Sequence, residues 1–274
     1  MCSQRQNENQ DHGIEIETEE SLDLELFRDP PDYYPPSPPP TTEIYTFLSG
    51  HTVKVDLIGH SPLWGHYLWN AGRVISSYLE LHPGLVRGKK VLELGAGAGL
   101  PSLVCAHLEA ECVVATDYPD AALIENLKRN IESFKNKAEK SGDVKSRILV
   151  EGHCWGENCQ NILNHVIVSD GEKPGFDVLV LADLLFNHSE HEKLLATVQS
   201  TLKKQEDAEA LVFFTPYRPW LLEKDLMFFD KVRASGMRVE KILEEKMEKV
   251  MFEKDRGDEE LRKTIFGYSV KWEL

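Results

Sequence analysis

Val91-Leu92-Glu93-Leu94-Gly95-Ala96-Gly97-Ala98-Gly99-Leu100-Pro101 is the stretch that decides the fold. An apolar β-type run ends in an acid, a glycine loop follows, and Pro101 opens a predicted helix. Glycine lets the backbone adopt positive φ and come close to a ligand. Proline suits the first helical turn, where its missing N–H would be unpaired anyway. A strand–Gly-loop–helix unit of this kind can cradle an adenosine-bearing ligand, although a tight turn without a ligand gives the same local pattern.

The dinucleotide fingerprint G-x-G-x-x-G/A does not fit. With Gly95 and Gly97 in place, its third small residue would fall on Leu100. The spacing is E-x-G-x-G-x-G instead. A second signal follows at Cys112-Val113-Val114-Ala115-Thr116, a predicted strand ending in Asp117. An acid about 20 residues beyond the first glycine can accept both ribose hydroxyls of an adenosine. A solvated strand-end acid is the alternative. Together these residues resemble motif I and its downstream acid in the class I S-adenosylmethionine methyltransferases. That resemblance places Glu93 near the cationic methionyl end of S-adenosylmethionine, directly or through water, and the Gly95–Gly97 backbone against the cofactor.

The 274 residues, 41% of them hydrophobic, suit one sizeable α/β domain plus a tail. No apolar run approaches the ~20 residues that span a bilayer. No secretory or Arg-rich presequence is visible, and the expected compartment is the cytoplasm. Cys2, Cys105, Cys112, Cys154 and Cys159 form no C-x-x-C pair and read as free thiols. The net charge is −15. Residues 1–32 carry −8 of it, ten acids against Arg5 and Arg28. An acidic body binds nucleic acid poorly, because phosphate neutralisation supplies most of that affinity. A cationic acceptor, such as a protein amine, fits better.

Residues 1–42 read as an acidic, Pro-rich, flexible tail, with Pro30, Pro31, Pro35, Pro36, Pro38, Pro39 and Pro40 forming a polyproline-like linker. From residue 43 to 274 the pattern is that of a folded domain. Ile44–Leu48 and Thr52–Leu57 are predicted to pair around Ser49-Gly50-His51. A helix should run to about Leu81. Strands are predicted near 89–94, 112–116, 147–151, 177–182 and 210–215, and helices near 102–110, 119–136, 188–204 and 219–235. Two last strands, about 237–251 and 263–272, should form an antiparallel edge hairpin across the acidic turn Lys254–Glu260. The fold class expected is α/β: a seven-stranded, mostly parallel, doubly wound Rossmann-like sheet with that hairpin at one edge.

Asp177-Val178-Leu179-Val180-Leu181-Ala182-Asp183-Leu184-Leu185-Phe186-Asn187-His188 is a near-continuous apolar strand with an acid at its carboxyl end. Ligands of open α/β sheets lie beyond such ends. Ala182 would then border the cofactor and Asp183 the acceptor; capping of the next helix is the plainer role for Asp183. This segment, with Tyr67-Leu68-Trp69-Asn70-Ala71-Gly72, the glycine loop through Ser102, and Asp117-Tyr118-Pro119, resembles the fungal protein N-terminal and lysine N-methyltransferases of elongation factor 1-alpha, a group often labelled nicotinamide N-methyltransferase-like. The resemblance spans about residues 43–274. It implies cofactor contacts at Trp69, Gly95, Ala96, Gly97, Asp117, Trp155 and Ala182. Related lysine methyltransferases carry Asp-x-x-Tyr at this strand end; Phe186 takes the tyrosine's place here, so Asp183 carries over and a tyrosyl hydroxyl does not.

The implied reaction is attack of a neutral amine on the cofactor's methyl group. The protein aligns the partners and excludes water. An α-amino group of pKa ~8 is partly neutral near pH 7.4, whereas a lysine at ~10.4 needs about 4 kcal/mol to lose its proton. Asp183 would orient the amine, and Phe186, Trp64 and Tyr67 would line its pocket, since aromatic faces hold methylated ammonium groups. Ordinary packing is the alternative for all three. His188-Ser189-Glu190-His191 matches no zinc-protease motif, and no metal is expected. The implied partner is elongation factor 1-alpha, met by a monomer. Two other readings remain open: a small-molecule N-methyltransferase acting on a pyridine such as nicotinamide, and a non-catalytic cofactor-binding module.

Overall fold

The computed structural model describes residues 38–141, 147–168 and 171–274. Most of the expected tail, with Cys2 and the linker as far as Pro36, lies outside these residues; Pro38, Pro39 and Pro40 lie within them, and the first strand begins at Thr41, inside the expected 1–42 tail, because Thr41 and Thr42 pair with Leu57 and Asp56. Pro38–Leu274 forms a compact unit.

That unit is built on seven strands. They are β3 (Lys90–Leu94), β4 (Cys112–Asp117), β5 (Arg147–Gly152), β6 (Val178–Ala182), β7 (Glu209–Phe214), β8 (Met237–Lys246) and β9 (Thr264–Trp272). Their order is β5-β4-β3-β6-β7-β9-β8. The first five positions are parallel, and β9 runs antiparallel to both β7 and β8. A separate antiparallel pair, β1 (Thr41–Thr46) and β2 (Thr52–Leu57), stands beside this sheet. The expected fold class is therefore observed.

Strand periodicity sorts the core into two layers. On one face Val91, Val113, Val178 and Val180 pack with α1 (Asn70–Leu81), α2 (Leu100–His107), α3 (Ala121–Ser141) and the small β1–β2 pair. On the other, Leu92, Leu94, Val114, Leu179 and Leu181 meet α5 (His191–Thr201) and α6 (Leu222–Ala234). Full burial of each such side chain is worth roughly 1.5–3 kcal/mol. Burial on both faces explains why the central strands read as continuous apolar runs.

Several boundaries moved for local reasons. β1 begins at Thr41, ahead of the predicted Ile44, and pairs with β2 as far as Leu57. α2 starts at Leu100 rather than Ser102, because Gly99 at φ 81° turns the chain directly into the helix. α3 starts after Asp120, whose carboxylate accepts from the Ala122 and Leu123 amides at 3.0 and 3.1 Å. Near Pro219 and His188 the chain first makes single 3₁₀ turns, so α6 and α5 begin later than predicted. β8 stops at Lys246, short of the predicted 251. The expected acidic turn instead holds α7 (Glu259–Arg262), capped by the Asp258 side chain. The short α4 (Gln160–Leu163) went unpredicted; four residues show no periodicity.

Candidate active site

Strand order reverses at β3, which has β4 on one side and β6 on the other. The connections leaving β3 and β6 therefore diverge, and in open α/β sheets the ligand crevice lies beyond the carboxyl ends at such a point. The glycine loop occupies this place. Gly95, Gly97 and Gly99 hold φ of 62°, 55° and 81°, a region unfavourable to side-chain-bearing residues. A Cβ on Gly95 would lie 2.5 Å from Leu184 Cδ2, and one on Gly99 equally close to Leu127 Cδ1. A Cβ on Gly97 would meet nothing within 4 Å, so that residue turns an open backbone face outward.

Asp117 ends β4 beside the loop. Its Oδ2 accepts from the Gly97 amide at 2.6 Å and its Oδ1 from the Tyr118 amide at 2.7 Å. Burial raises its pKa, and the Gly97 amide acts against that rise. The loop and the acid are thus brought together. Ala96 completes the turn: its amide donates to the Thr116 carbonyl at 2.9 Å.

Glu93 sits lower, 2% exposed. Its Oε2 accepts from the Ser102 amide at 2.9 Å and from the Ser102 hydroxyl at 2.5 Å. It therefore braces the first turn of α2 from beneath the loop, serving free amides of a helix N-terminus. Burial pushes its pKa up to about 8.

Asp183 follows Ala182, the last residue of β6, and has φ 55°, which is costly for a non-glycine residue. Three chain segments hold it there. Its Oδ1 accepts from the Thr215 amide at 2.7 Å, and its Oδ2 from the Ala71 amide at 3.0 Å and the Tyr217 hydroxyl at 3.4 Å. Ala71 lies in the first turn of α1, a helix whose N-cap residue, Trp69, supplies no side-chain cap. Asp183 takes over that task from 112 positions away. Burial raises its pKa to about 7, against the pull of its amide donors.

An aromatic wall stands beside this clamp. Trp69 meets Tyr67, Tyr217 and Phe252 edge-on, with ring centroids 5.5, 5.1 and 5.9 Å apart. Phe252 also meets Tyr67 at 5.1 Å and Tyr217 at 5.7 Å. The Trp69 indole N–H donates to the Trp64 carbonyl at 3.1 Å. Trp64 itself is half exposed at φ 62°. Phe186 is exposed and takes no part in these ring contacts, though its carbonyl accepts from Arg218 at 2.5 Å. Trp155, beyond β5, is partly buried against the second core layer.

The His188–His191 segment has other work. His188 pairs with Asp225 at 2.7 Å, and a His191 ring nitrogen lies 2.8 Å from the Leu185 carbonyl. Cys105, Cys112, Cys154 and Cys159 are free thiols.

Comparison with known proteins agrees with this architecture. The model of a lysine methyltransferase family matches residues 59–235. The protein N-terminal and lysine N-methyltransferase efm7 of Neurospora crassa is 50% identical over 260 residues, covering 94% of this chain and 92% of that protein. Its namesake from Schizosaccharomyces pombe is 42% identical over 249 residues, 89% of this chain and 94% of the relative. The chain belongs to the lysine methyltransferase family. Among solved structures, a Pyrococcus horikoshii protein proposed to be an RNA methyltransferase superposes with a TM-score of 0.51 at 19% identity, covering 78% of this chain and 91% of that one. A proposed methyltransferase complexed with S-adenosylhomocysteine gives 0.50 at 12% identity, over 83% and 56%. These two show the shared fold.

The cofactor of this methyltransferase is S-adenosylmethionine. The residues present fit it: an open glycine backbone and a strand-end carboxylate lie side by side at the switch point. Three features escaped sequence reading. Tyr217 has a usable signal, since it lies three residues beyond the end of β7, on the ligand edge of the sheet. Phe252 and Asn70 have none. They reach the site only through the β8–β9 connection and the start of α1.

Proposed function

We propose that this methyltransferase transfers methyl groups to protein amines: the N-terminal α-amino group and adjacent lysine of translation elongation factor 1-alpha. The observation that carries this reading is the 40–50% identity, sustained over about nine-tenths of the chain, to fungal relatives that share one name. The acidic body supports it, because a basic peptide terminus is attracted to negative charge. The elongation factor as target rests on the sequence resemblance.

The site residues divide by position. Gly95, Ala96, Gly97 and Asp117 hold the adenosine half of S-adenosylmethionine, Asp117 turning its free lone pairs to the ribose. Ala182 and Trp69 border the methionyl half, and Trp155 the adenine. Glu93 keeps the loop in shape through Ser102. When bound, the cofactor supplies an electrophilic methyl on a sulfonium. Asp183 and the aromatic wall orient the acceptor amine and keep water away. Phe186 stands at the pocket rim. Among the described residues no helix is long and apolar enough to cross a membrane. We place the enzyme in the cytoplasm as a monomer.

The rings also suit a flat pyridine, so the test sets the two acceptors side by side. The purified protein is given S-adenosylmethionine and either a Gly-Lys peptide or nicotinamide. Methylation of the peptide α-amine, lost on N-terminal acetylation, is expected. Methylation of nicotinamide alone would reject the protein-amine reading.

A further inference from the structure

We propose that the Tyr217 hydroxyl is the group that orients the acceptor amine, and that Asp183 acts through it. The inference deepens the amine-transfer reading and rests on it.

Asp183 is already committed to the backbone. Its carboxylate is 7% exposed and receives two backbone amides, Thr215 at 2.7 Å and Ala71 at 3.0 Å. These bonds fix the end of β6 to the end of β7 and to the first turn of α1. A carboxylate engaged in this way is poorly placed to swing onto a substrate. Tyr217 is differently situated. Its ring is half-buried in the wall that Trp69 and Phe252 share.

The Tyr217 hydroxyl lies 3.4 Å from each of Asp183 Oδ2, the Asn70 amide and Met251 Sδ, with the Thr215 side chain also beside it. An O–H···O bond is normally 2.7–2.8 Å. The contacts to the Asp183 oxygen and the Asn70 nitrogen are long, and the third is to a weak sulfur acceptor, so the hydroxyl retains hydrogen-bonding capacity. The neighbouring Thr215 hydroxyl is also buried, without a hydrogen bond of ordinary geometry among the described residues. Two underused hydroxyls at one strand end mark a place where a polar ligand group is accommodated.

Position agrees. From the glycine loop at the end of β3, the sheet continues to β6 and then β7. Neighbouring strands are about 4.8 Å apart. Tyr217, just past β7, is therefore roughly 10 Å across the sheet from the loop, on the side away from Asp117. A donor molecule spanning Asp117 to Ala182 would have its acceptor there.

The chemistry follows from the donor inventory. Burial and the Asp183 charge raise the Tyr217 pKa, so the phenol keeps its proton. It donates that proton to Asp183 Oδ2, and its oxygen accepts an N–H of the neutral amine. The amine lone pair is then directed at the methyl group. The N–C bond forms as the methyl's bond to sulfur breaks, with that electron pair staying on sulfur. The N-methylammonium product releases its proton to bulk water.

Two substitutions separate the hydroxyl from the ring. Tyr217→Phe keeps the aromatic wall; Tyr217→Ala removes it. Each variant is titrated with S-adenosylhomocysteine, melted, and assayed on a Gly-Lys peptide, with kcat referred to the cofactor-competent fraction. Y217F should lower kcat at least 30-fold, with the cofactor Kd within twofold and the melting temperature nearly unchanged. Y217A should in addition raise the peptide KM. If the wild type methylates the peptide and Y217F does so within threefold of it, the inference is overturned while amine transfer stands. If the wild type transfers methyl to no amine, both are overturned.

Discussion

At the residue scale, three acids divide the work, and each was visible as an acid at a strand end. Asp117 was legible with its partner loop, because both belong to one strand–loop–helix–strand unit. Its removal should be specific: Asp117→Ala is expected to weaken S-adenosylhomocysteine binding by at least 30-fold in calorimetry, since it takes away both the proposed ribose acceptor and the Gly97 anchor. Glu93 was read as a charge near the cofactor, yet its bonds run to Ser102. That partner is nine residues on, and nothing in strand periodicity says which way a strand-end acid turns. Its raised pKa, about 8 against an ordinary 4.5, has a consequence for stability. The folded protein holds this proton more tightly than the unfolded chain. The stabilisation is complete below about pH 4.5 and is lost as pH rises through about 8, by an amount on the order of 5 kcal/mol. Denaturant melts of Glu93→Gln should show a flatter decline between pH 5 and pH 9 than wild type. An identical slope would mean that Glu93 does not titrate there.

At the scale of elements, β–α alternation was readable because buried parallel strands are apolar on both faces and the helices between them are amphipathic. What escaped was how elements are tied at their ends. α1 has no cap of its own and borrows Asp183 from the far end of β6. The edge hairpin was expected, but the loop carrying Met251 and Phe252 toward Tyr217 was not. Such ties join residues far apart in the chain, where neither spacing nor composition carries a signal. The glycine loop belongs to this scale too. Gly95→Ala would set a methyl 2.5 Å from Leu184 in a positive-φ turn. It should cost about 1–3 kcal/mol of stability and impair cofactor uptake. Gly97→Ala meets open space and should spare stability more while still obstructing the cofactor. Thermal melts of both variants with and without S-adenosylhomocysteine check the contrast.

At the scale of the molecule, the strand-order reversal beside β3 sets the glycine loop, Asp117, Asp183 and Tyr217 at the carboxyl ends of neighbouring strands. Asp117, the glycine loop, Asp183 and Tyr217 follow one another across β4, β3, β6 and β7. On the proposed reading, topology sets the donor end and the acceptor end before any side chain is chosen. On the proposed reading, the −7 carried outside residues 1–32 favours a cationic protein terminus as acceptor. The most direct measurement is to incubate the purified enzyme with isotopically labelled S-adenosylmethionine and a fungal lysate, then map the labelled peptides by mass spectrometry. Label is expected on the N-terminal residue and adjacent lysine of elongation factor 1-alpha; label confined to small molecules would contradict the proposed function.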